Sequence, residues 1–378
     1  MAQVSRCPGL AEVYKDLYDF QGNEFHVVPV PEGVLTFGEA VVALEDACAI
    51  GVVRSASPDG RAWGEVDLWP EWDEPLDGST RLLVLSETDR TPTPGPERED
   101  RPGAPLSGSR RAGREPSTPG PTLVLGWRNG AVDLLHSLEA TLPAGSTIDV
   151  VADADAPSGL PPTVASWVRR PVNAWLDEHE DRDRYEHAII LSDDTLDPTV
   201  ADAETLLAFL ALRPPGRAQR NPETVVAELR RRASKHLVAA HESTDLIVTG
   251  ALTADALVQY AVRPETQQVF DRLLGHDEFE IDFVPVERLE LPDRPTFRDL
   301  ARQVGERGEV VLGYRVRVGA HSDGSPDRVL VLNPRKSDPL PAATEDAVVL
   351  LRTSAGARGP SAVATASHPV GGGSAPRP

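Results

Sequence analysis

Asn23–Val30, NEFHVVPV, returns as Asp277–Val286, DEFEIDFVPV, and the segments downstream of each stretch correspond as well. After the first come LTFGEAV from Leu35, ACAIGVVR from Ala47 and STRLLVLSE from Ser79; after the second come PTFRDLA from Pro295, EVVLGYRV from Glu309 and EDAVVLLRT from Glu345. Pairing Glu24-Phe25 with Glu278-Phe279, Phe37 with Phe297, and Ile50-Gly51 with Leu312-Gly313 keeps every element in order while the connecting loops vary. The chain therefore carries one small module twice. Each copy reads as a period-2 strand, a short helix opening at a Thr-Phe step, an apolar strand ending at Gly, a loop and a final β-branched strand. So small a lobe buries little surface alone, and it is expected to pack against its twin, a neighbouring domain or another subunit. Neither copy holds a nucleophile with a base, or a metal-ligand cluster, at matching positions. The repeat reads as a sensing or packing device.

Between the copies the pattern becomes that of an α/β nucleotide fold. Leu123-Val124-Leu125 is a short buried strand, Gly126 to Gly130 a tight turn, and Ala131, Val132, Leu134, Leu135 and Leu138 an apolar stripe at helical spacing. Thr147 to Ala152 supplies a second strand ending at Asp153, and His187 to Leu191 a later one ending at Ser192-Asp193-Asp194. Strand, helix and strand of these lengths imply right-handed parallel crossovers, hence a doubly wound sheet. A helix over Asp202 to Leu212, strands over Thr224 to Leu229 and Asp245 to Thr249, and a helix over Thr253 to Val262 continue it to about Leu274. The expected fold class is α/β, a Rossmann-like parallel sheet with two copies of a small α+β lobe. The expected units are a first lobe over 10–90, a linker over 91–122, the sheet domain over 123–274, a second lobe over 275–352 and a tail over 353–378. Thr91 to Thr122 and the tail are rich in Pro, Gly, Ser and charge, too poor in apolar groups to offset the entropy of ordering.

Composition narrows the function. The 378 residues allow about two or three domains. No apolar run approaches the roughly 18–20 residues of a membrane helix, the best candidate, Leu246 to Val262, being broken by Thr249, Thr253 and Asp255. The first residues, MAQVSRCPGL, have no apolar stretch of the secretory kind. A net charge of −21 argues against nucleic acid as a partner, since phosphate binding needs a basic field. Two cysteines, Cys7 and Cys48, make neither a disulfide framework nor a zinc spacing, and Cys48 reads as a small buried residue of a strand. A reducing cytoplasm fits. No G-x-S-x-G elbow, Walker A run or H-E-x-x-H pair occurs, and His26, His136, His236, His241 and His276 are scattered. The protein is not expected to be an enzyme.

The candidate site lies beyond the carboxyl ends of the parallel strands, where ligands of doubly wound sheets collect. A dinucleotide fingerprint would need a second glycine between Gly126 and Gly130, but Trp127, Arg128 and Asn129 stand there and should crowd a pyrophosphate. Asp153 is placed for a ribose, although an Asp ending a strand is common. Arg128 beside Asp153 would make a charged crevice for an ion, a nucleotide phosphate or a neighbouring subunit, with Ser192, Asp193 and Asp194 projecting into the same region. Those carboxylates are read in two ways: as ligands of a divalent cation such as Ca²⁺, which takes about six to eight oxygens, or as turn and helix-cap residues. Clusters at Glu71, Asp73, Glu74 and Asp77, and at Asp177, Glu178, Glu180, Asp181 and Asp183 around His179, lack EF-hand spacing and read as solvated faces.

Tyr18 to Phe25 (YDFQGNEF), Gly126-Trp127-Arg128, Ser192-Asp193-Asp194 and the second Glu278-Phe279 lobe resemble the cytosolic part of the CASTOR/POLLUX ion-channel family. The resemblance runs from about Leu10 to about Arg352 with one interruption. It implies paired domains of the kind that regulate potassium conductance (RCK domains), which follow a transmembrane pore and form a gating ring. By this comparison the chain starts within the first RCK-like unit, without that unit's Rossmann-like lobe and without the pore. The function implied is gating: an ion or small ligand is sensed at the cytoplasmic face of the membrane and coupled to a pore partner, in a homo-oligomer. The alternatives are a stand-alone regulator of a separately encoded potassium or cation transporter and, disfavoured by the Gly126 turn, a nicotinamide-dependent oxidoreductase.

Overall fold

The computed structural model describes residues 1–18, 22–54, 63–95, 119–179, 184–213, 222–235, 237, 244–274, 279–320 and 326–352. Residues 96–118 of the expected linker and 353–378 of the expected tail lie outside these, as do Asp19, Phe20, Gln21, Glu278, His236, His241, His276, Glu180, Asp181 and Asp183.

The first lobe opens with α1 (Leu10–Tyr18), whose Leu10, Val13, Tyr14, Leu17 and Tyr18 recur at helical spacing and are buried. Then come β1 (Glu24–Pro29), α2 (Phe37–Ala43), β2 (Cys48–Arg54), β3 (Glu65–Leu68) and β4 (Thr80–Ser86). The Thr36 hydroxyl accepts from Glu39 N at 3.2 Å, which caps and so starts α2. The strands form an antiparallel sheet in the order β1-β4-β2-β3. The segment after it is tied down further than its composition implies: Glu45 N donates to Thr93 O (2.8 Å) and Gly95 N to Ala43 O (2.7 Å).

The central domain runs β5 (Pro121–Leu125), α3 (Ala131–Thr141), β6 (Thr147–Ala152), β7 (Val164–Arg169), α4 (Val172–Glu178), β8 (His187–Ile190), α5 (Pro198–Leu212), β9 (Thr224–Leu229), α6 (Arg232–Lys235), β10 (Thr244–Val248), α7 (Thr249–Val262) and α8 (Gln267–Leu274). All six strands are parallel, in the order β10-β9-β8-β5-β6-β7. Strand order reverses between β5 and β8, which is the switch point of a doubly wound sheet. Alternate residues of β5 feed the two faces: Leu123 and Leu125 pack with Trp175, Phe209 and Leu212 of α4 and α5, while Val124 packs with Leu135 and Leu138 of α3.

The second lobe comprises β11 (Phe279–Pro285), α9 (Phe297–Gly305), β12 (Val310–Ala320), β13 (Pro326–Leu332) and β14 (Thr344–Arg352), in the order β11-β14-β12-β13. Its order is that of the first lobe strand for strand. Thr296 and Asp299 make a reciprocal capping box at the start of α9, where Thr36 stands in the other copy. The glycine expected to end the third element instead lies within it: register slips between Ala49 and Gly51 in β2 and between Val311 and Gly313 in β12. The neighbouring strands cross there at contact distance. A Cβ on Gly51 would sit 2.5 Å from Asp67 O, and one on Gly313 would overlap Val331 O. Each crossing strand then ends at a non-glycine residue with positive φ, Trp69 (63°) and Asn333 (47°), whose amides donate to Ile50 O and Leu312 O. The duplication thus extends down to a bulge and a strained turn, and β3 and β13 occupy what reads in the sequence as a loop. Gly51→Ala and Gly313→Ala are each expected to destabilise by about 1–3 kcal/mol through overpacking. Gly78→Ala, where nothing lies within 4 Å, should stay within about 0.5 kcal/mol; denaturant midpoints compare the three.

Of the packing partners open to each lobe, the twin is the principal one. α2 lies against α9 and β2 against β12, and both lobes share one core with α1 and α8. Lys336, 1% exposed, crosses the seam: its Nζ donates to Ala47 O at 3.2 Å and stands over the Phe297 ring at 4.6 Å. Glu45 holds the same seam by accepting from Arg298 Nη2 (2.7 Å) and Ser337 N (3.0 Å). Cys48 is buried in this seam, as its strand position implies.

Candidate functional site

β5 ends at the turn Gly126–Gly130, β6 at Asp153 and β8 at Ser192–Asp194, so the three segments meet at the switch point. They enclose a crevice of about 480 Å³ whose walls include Gly126, Trp127, Arg128, Asn129, Asp153, Asp193, Asp194 and Thr195, with Asn173 from α4 and Glu204 and Thr205 from α5. Of the expected site residues, Gly126, Arg128, Asp153, Asp193 and Asp194 face one space. The other two act from behind. Gly130 has φ 76° and is the N-cap of α3, while Ser192 is buried and donates its amide to Glu228 Oε2 at 3.3 Å.

Gly126 is required by the chain itself. Its φ is 84° and a Cβ would fall 2.4 Å from Leu191 O, so the β5 turn can lie against the end of β8 only without a side chain. Trp127, next to Arg128 in the place of a fingerprint glycine, packs edge to face on Trp167 at 4.8 Å. Trp167 Nε1 in turn donates to Ala154 O at 3.0 Å, closing the β6 side of the crevice.

The polar groups are partnered differently from the expectation. Arg128 is not paired with Asp153: its Nε donates to Glu228 Oε2 of β9 at 2.8 Å and its Nη1 to Asn129 O at 2.8 Å. Glu228 is hidden in sequence as the single acid of an apolar strand, TVVAEL, and its partner is distant along the chain. Asp193 Oδ1 accepts from Thr195 N (2.8 Å) and Thr195 Oγ1 (2.6 Å), closing a local turn. Asp194 Oδ2 accepts from Asn129 N at 3.1 Å, just before the α3 cap. Asp193 thus closes its own turn and Asp194 ties this loop to the β5 turn, and among the described residues no group of three or more His, Cys, Asp or Glu is arranged to hold a metal ion. The lining still carries four acids, Asp153, Asp193, Asp194 and Glu204, against Arg128. It offers acceptors for hydroxyl or ammonium groups, and the amide of Asn129, which an incoming phosphate would use, already has a carboxylate on it.

Described members of the remaining acidic clusters have partners of their own. Glu74 pairs with Arg54 at 2.6 Å, and Ser79 and Thr80 donate to Asp77, holding its carboxyl down to about 2. His179 stacks on Trp175 at 4.4 Å and its Nδ1 lies 2.9 Å from Trp175 O.

The fold, a doubly wound sheet with one antiparallel lobe before it and one after it in the chain, is similar to that of a solved gating ring. The human SLO3 gating ring matches with a TM-score of 0.61 at 12% identity, covering 93% of this chain and 74% of that one. In sequence the chain is similar to the CASTOR/POLLUX ion channels. A family model described as Castor and Pollux, part of voltage-gated ion channel, matches residues 1–101. Ion channel DMI1 of Medicago truncatula is 24% identical over 93% of this chain and 43% of its own length. The probable ion channel POLLUX of Oryza sativa subsp. japonica is 23% identical over 94% and 40%, and ion channel CASTOR of Lotus japonicus 22% identical over 84% and 41%. The chain thus spans about two fifths of the length of these curated relatives. They point away from an enzyme, and the oxidoreductase alternative finds no support in them.

Proposed function

We propose that this chain is a gating portion of a CASTOR/POLLUX-type cation channel, held at the cytoplasmic face of a membrane, where it senses an ion or small ligand and couples it to a pore. The carrying observation is the gating-ring fold, which extends over 93% of the chain and coincides with the relationship to ion channels. Among the described residues no helix is long and apolar enough to cross a membrane, so the pore is assigned to a segment or subunit outside them. The sensing site is the switch-point crevice, with Gly126, Arg128, Asp153, Asp193 and Asp194 in its wall and Gly130 and Ser192 supporting it. Gating then follows from a difference in ligand affinity between two arrangements of the ring.

A ring needs contacts between copies. The repeat lobes, expected to supply them, spend their apolar faces on each other within one chain. Two helices keep exposed apolar stripes: Val200, Leu207 and Leu210 on α5, and Leu257, Val258 and Val262 on α7. Exposed stripes of this kind mark contact surfaces, and a second copy is the partner a ring supplies. The purified chain should self-associate, and Leu207→Glu with Leu257→Glu should shift it to monomer in light-scattering mass measurements. A wild type that stays monomeric at the highest accessible concentration would sink the gating-ring role.

A further inference from the structure

Arg128 is the one basic residue among those lining the crevice, and the carboxylate it serves lies behind the wall. Glu228 is nearly inaccessible, its side chain 4% exposed against 28% for Arg128. Its position on β9 sets the direction in which it faces. Val225 and Ala227 go to the core beneath α4 and α5, whereas Val226 packs into the core that holds Val4, Cys7 and Leu10. By the two-residue period of a strand, Glu228 shares the face of Val226. That face of β8, β9 and β10 is covered by the first eleven residues of the chain.

This N-terminal strap is fastened at successive points. Ala2 is buried in the α3-side core, and the turn Val4–Arg6 lies on β8 and β9. The Thr224 hydroxyl of β9 donates to Ser5 O, and His187 Nδ1 of β8 is 2.7 Å from the same hydroxyl. Gly9 N and Ala11 N donate to the two oxygens of Asp245 on β10 at 2.9 and 3.3 Å. From there the chain enters α1 and the first lobe without a break.

We propose that Arg128 and Glu228 form a latch by which the state of the crevice sets the packing of the N-terminal strap, and through α1 the position of the first lobe. The inference rests on the crevice being the sensing site. With Arg128 on Glu228, the buried carboxylate is neutralised and the strap stays docked. A ligand that draws Arg128 into the crevice takes the guanidinium from Glu228 and leaves it the Ser192 amide hydrogen bond. A buried charge without its partner is strongly unfavourable, and it is relieved by protonation or by admitting water where the strap now lies. Either route loosens residues 1–11. The coupling element is thus a single ion pair bridging two surfaces of one sheet, the crevice wall on one side and the strap on the other.

Hydrogen exchange by mass spectrometry on the full chain tests the latch without a ligand. Arg128→Ala is expected to speed exchange of amides in residues 2–14 at least tenfold, with amides of β12 and β14 changing less than twofold. Arg128→Ala combined with Glu228→Gln should return residues 2–14 to within twofold of wild type, because the stranded charge is gone; a loss of packing alone would not be rescued. Unchanged exchange in Arg128→Ala, or a double variant as open as the single, overturns the proposal. Circular dichroism of each variant separates a loosened strap from an unfolded chain, and an Arg128→Ala that unfolds while the double variant folds counts as the same rescue. A failed latch in a protein that still self-associates would leave the gating-ring assignment standing, and a working latch in a monomer would do the reverse.

Discussion

Trp72→Ala should cost the protein about 3–5 kcal/mol, the range for emptying a large aromatic site in a core. Trp72 is 8% exposed and its carbonyl accepts from Gly38 N at 2.8 Å, but the ring does most of the packing. It is slotted between α2 and α9, and a Cβ on either Gly38 or Gly305 would overlap it. These two helices carry the contact between the lobes, so one residue of the first lobe fills the seam for both. The helices cannot close the gap by themselves, because Glu45, Arg298 and Lys336 hold the seam at its present width. A cycle with Gly305→Ala isolates the ring's part. In wild type that substitution overpacks the slot and should cost about 1–3 kcal/mol; in the Trp72→Ala background the new methyl enters the cavity and should cost nothing or gain. Denaturant unfolding of the four proteins gives the coupling. Strict additivity would mean that the ring is not what separates α2 from α9.

The seam also shows what can be read from sequence and what cannot. The buried parallel strands β5, β6, β8 and β9 are short apolar runs, and such runs announce themselves. β7 carries no such signal, since VASWVR is an edge strand with burial on neither face complete; without a core to face, its residues have no pattern. β3, EVDL, at the edge of the first lobe, does alternate and buries Val66 and Leu68, but four residues are too few for the pattern to stand out. The repeat is legible because Glu-Phe, Thr-Phe and the apolar-Gly step recur in order, yet in sequence the glycine reads as a strand end. Only the crossing of β3 over β2, a contact made through space, explains why position 51 bears no side chain. In the crevice the wall residues are legible because strand ends and a glycine turn locate a switch point. Their partners are not, since an ion pair such as Arg128 with Glu228 joins residues that no local period connects.

Asp245 and His26 should pull stability in opposite directions between about pH 4 and 6. Burial raises the Asp245 carboxyl from 3.8 to about 6, with Glu12 adding to the rise and the Gly9 and Ala11 amides and Arg315 opposing it. Within that interval the folded protein holds a proton there and the unfolded chain does not, so folding takes up a proton. Its contribution to stability is therefore complete at low pH and is lost as pH rises to about 6. His26, 6% exposed, goes the other way: burial and then Arg263 lower it from 6.5 to about 4, against Asp89 and a backbone bond to Ser86. Folding now releases a proton, and stability falls as pH drops from about 6.5 toward 4. Each slope is at most about 1.4 kcal/mol per pH unit, and over the shared interval they offset. Removing one should uncover the other. Relative to wild type, Asp245→Asn is expected to gain stability steadily from pH 4 to 6, and His26→Asn to lose it over the same range, with the double variant running parallel to wild type. Denaturant unfolding at closely spaced pH values reads all three. Parallel curves for the single variants would place both groups outside the linkage. Asp245 binds α1 to β10 and Arg263 carries the His26 contact from the central domain to β1, so the two groups sit at the joints between the first lobe and the sheet. The compensation would keep those joints equally firm across the mildly acidic range.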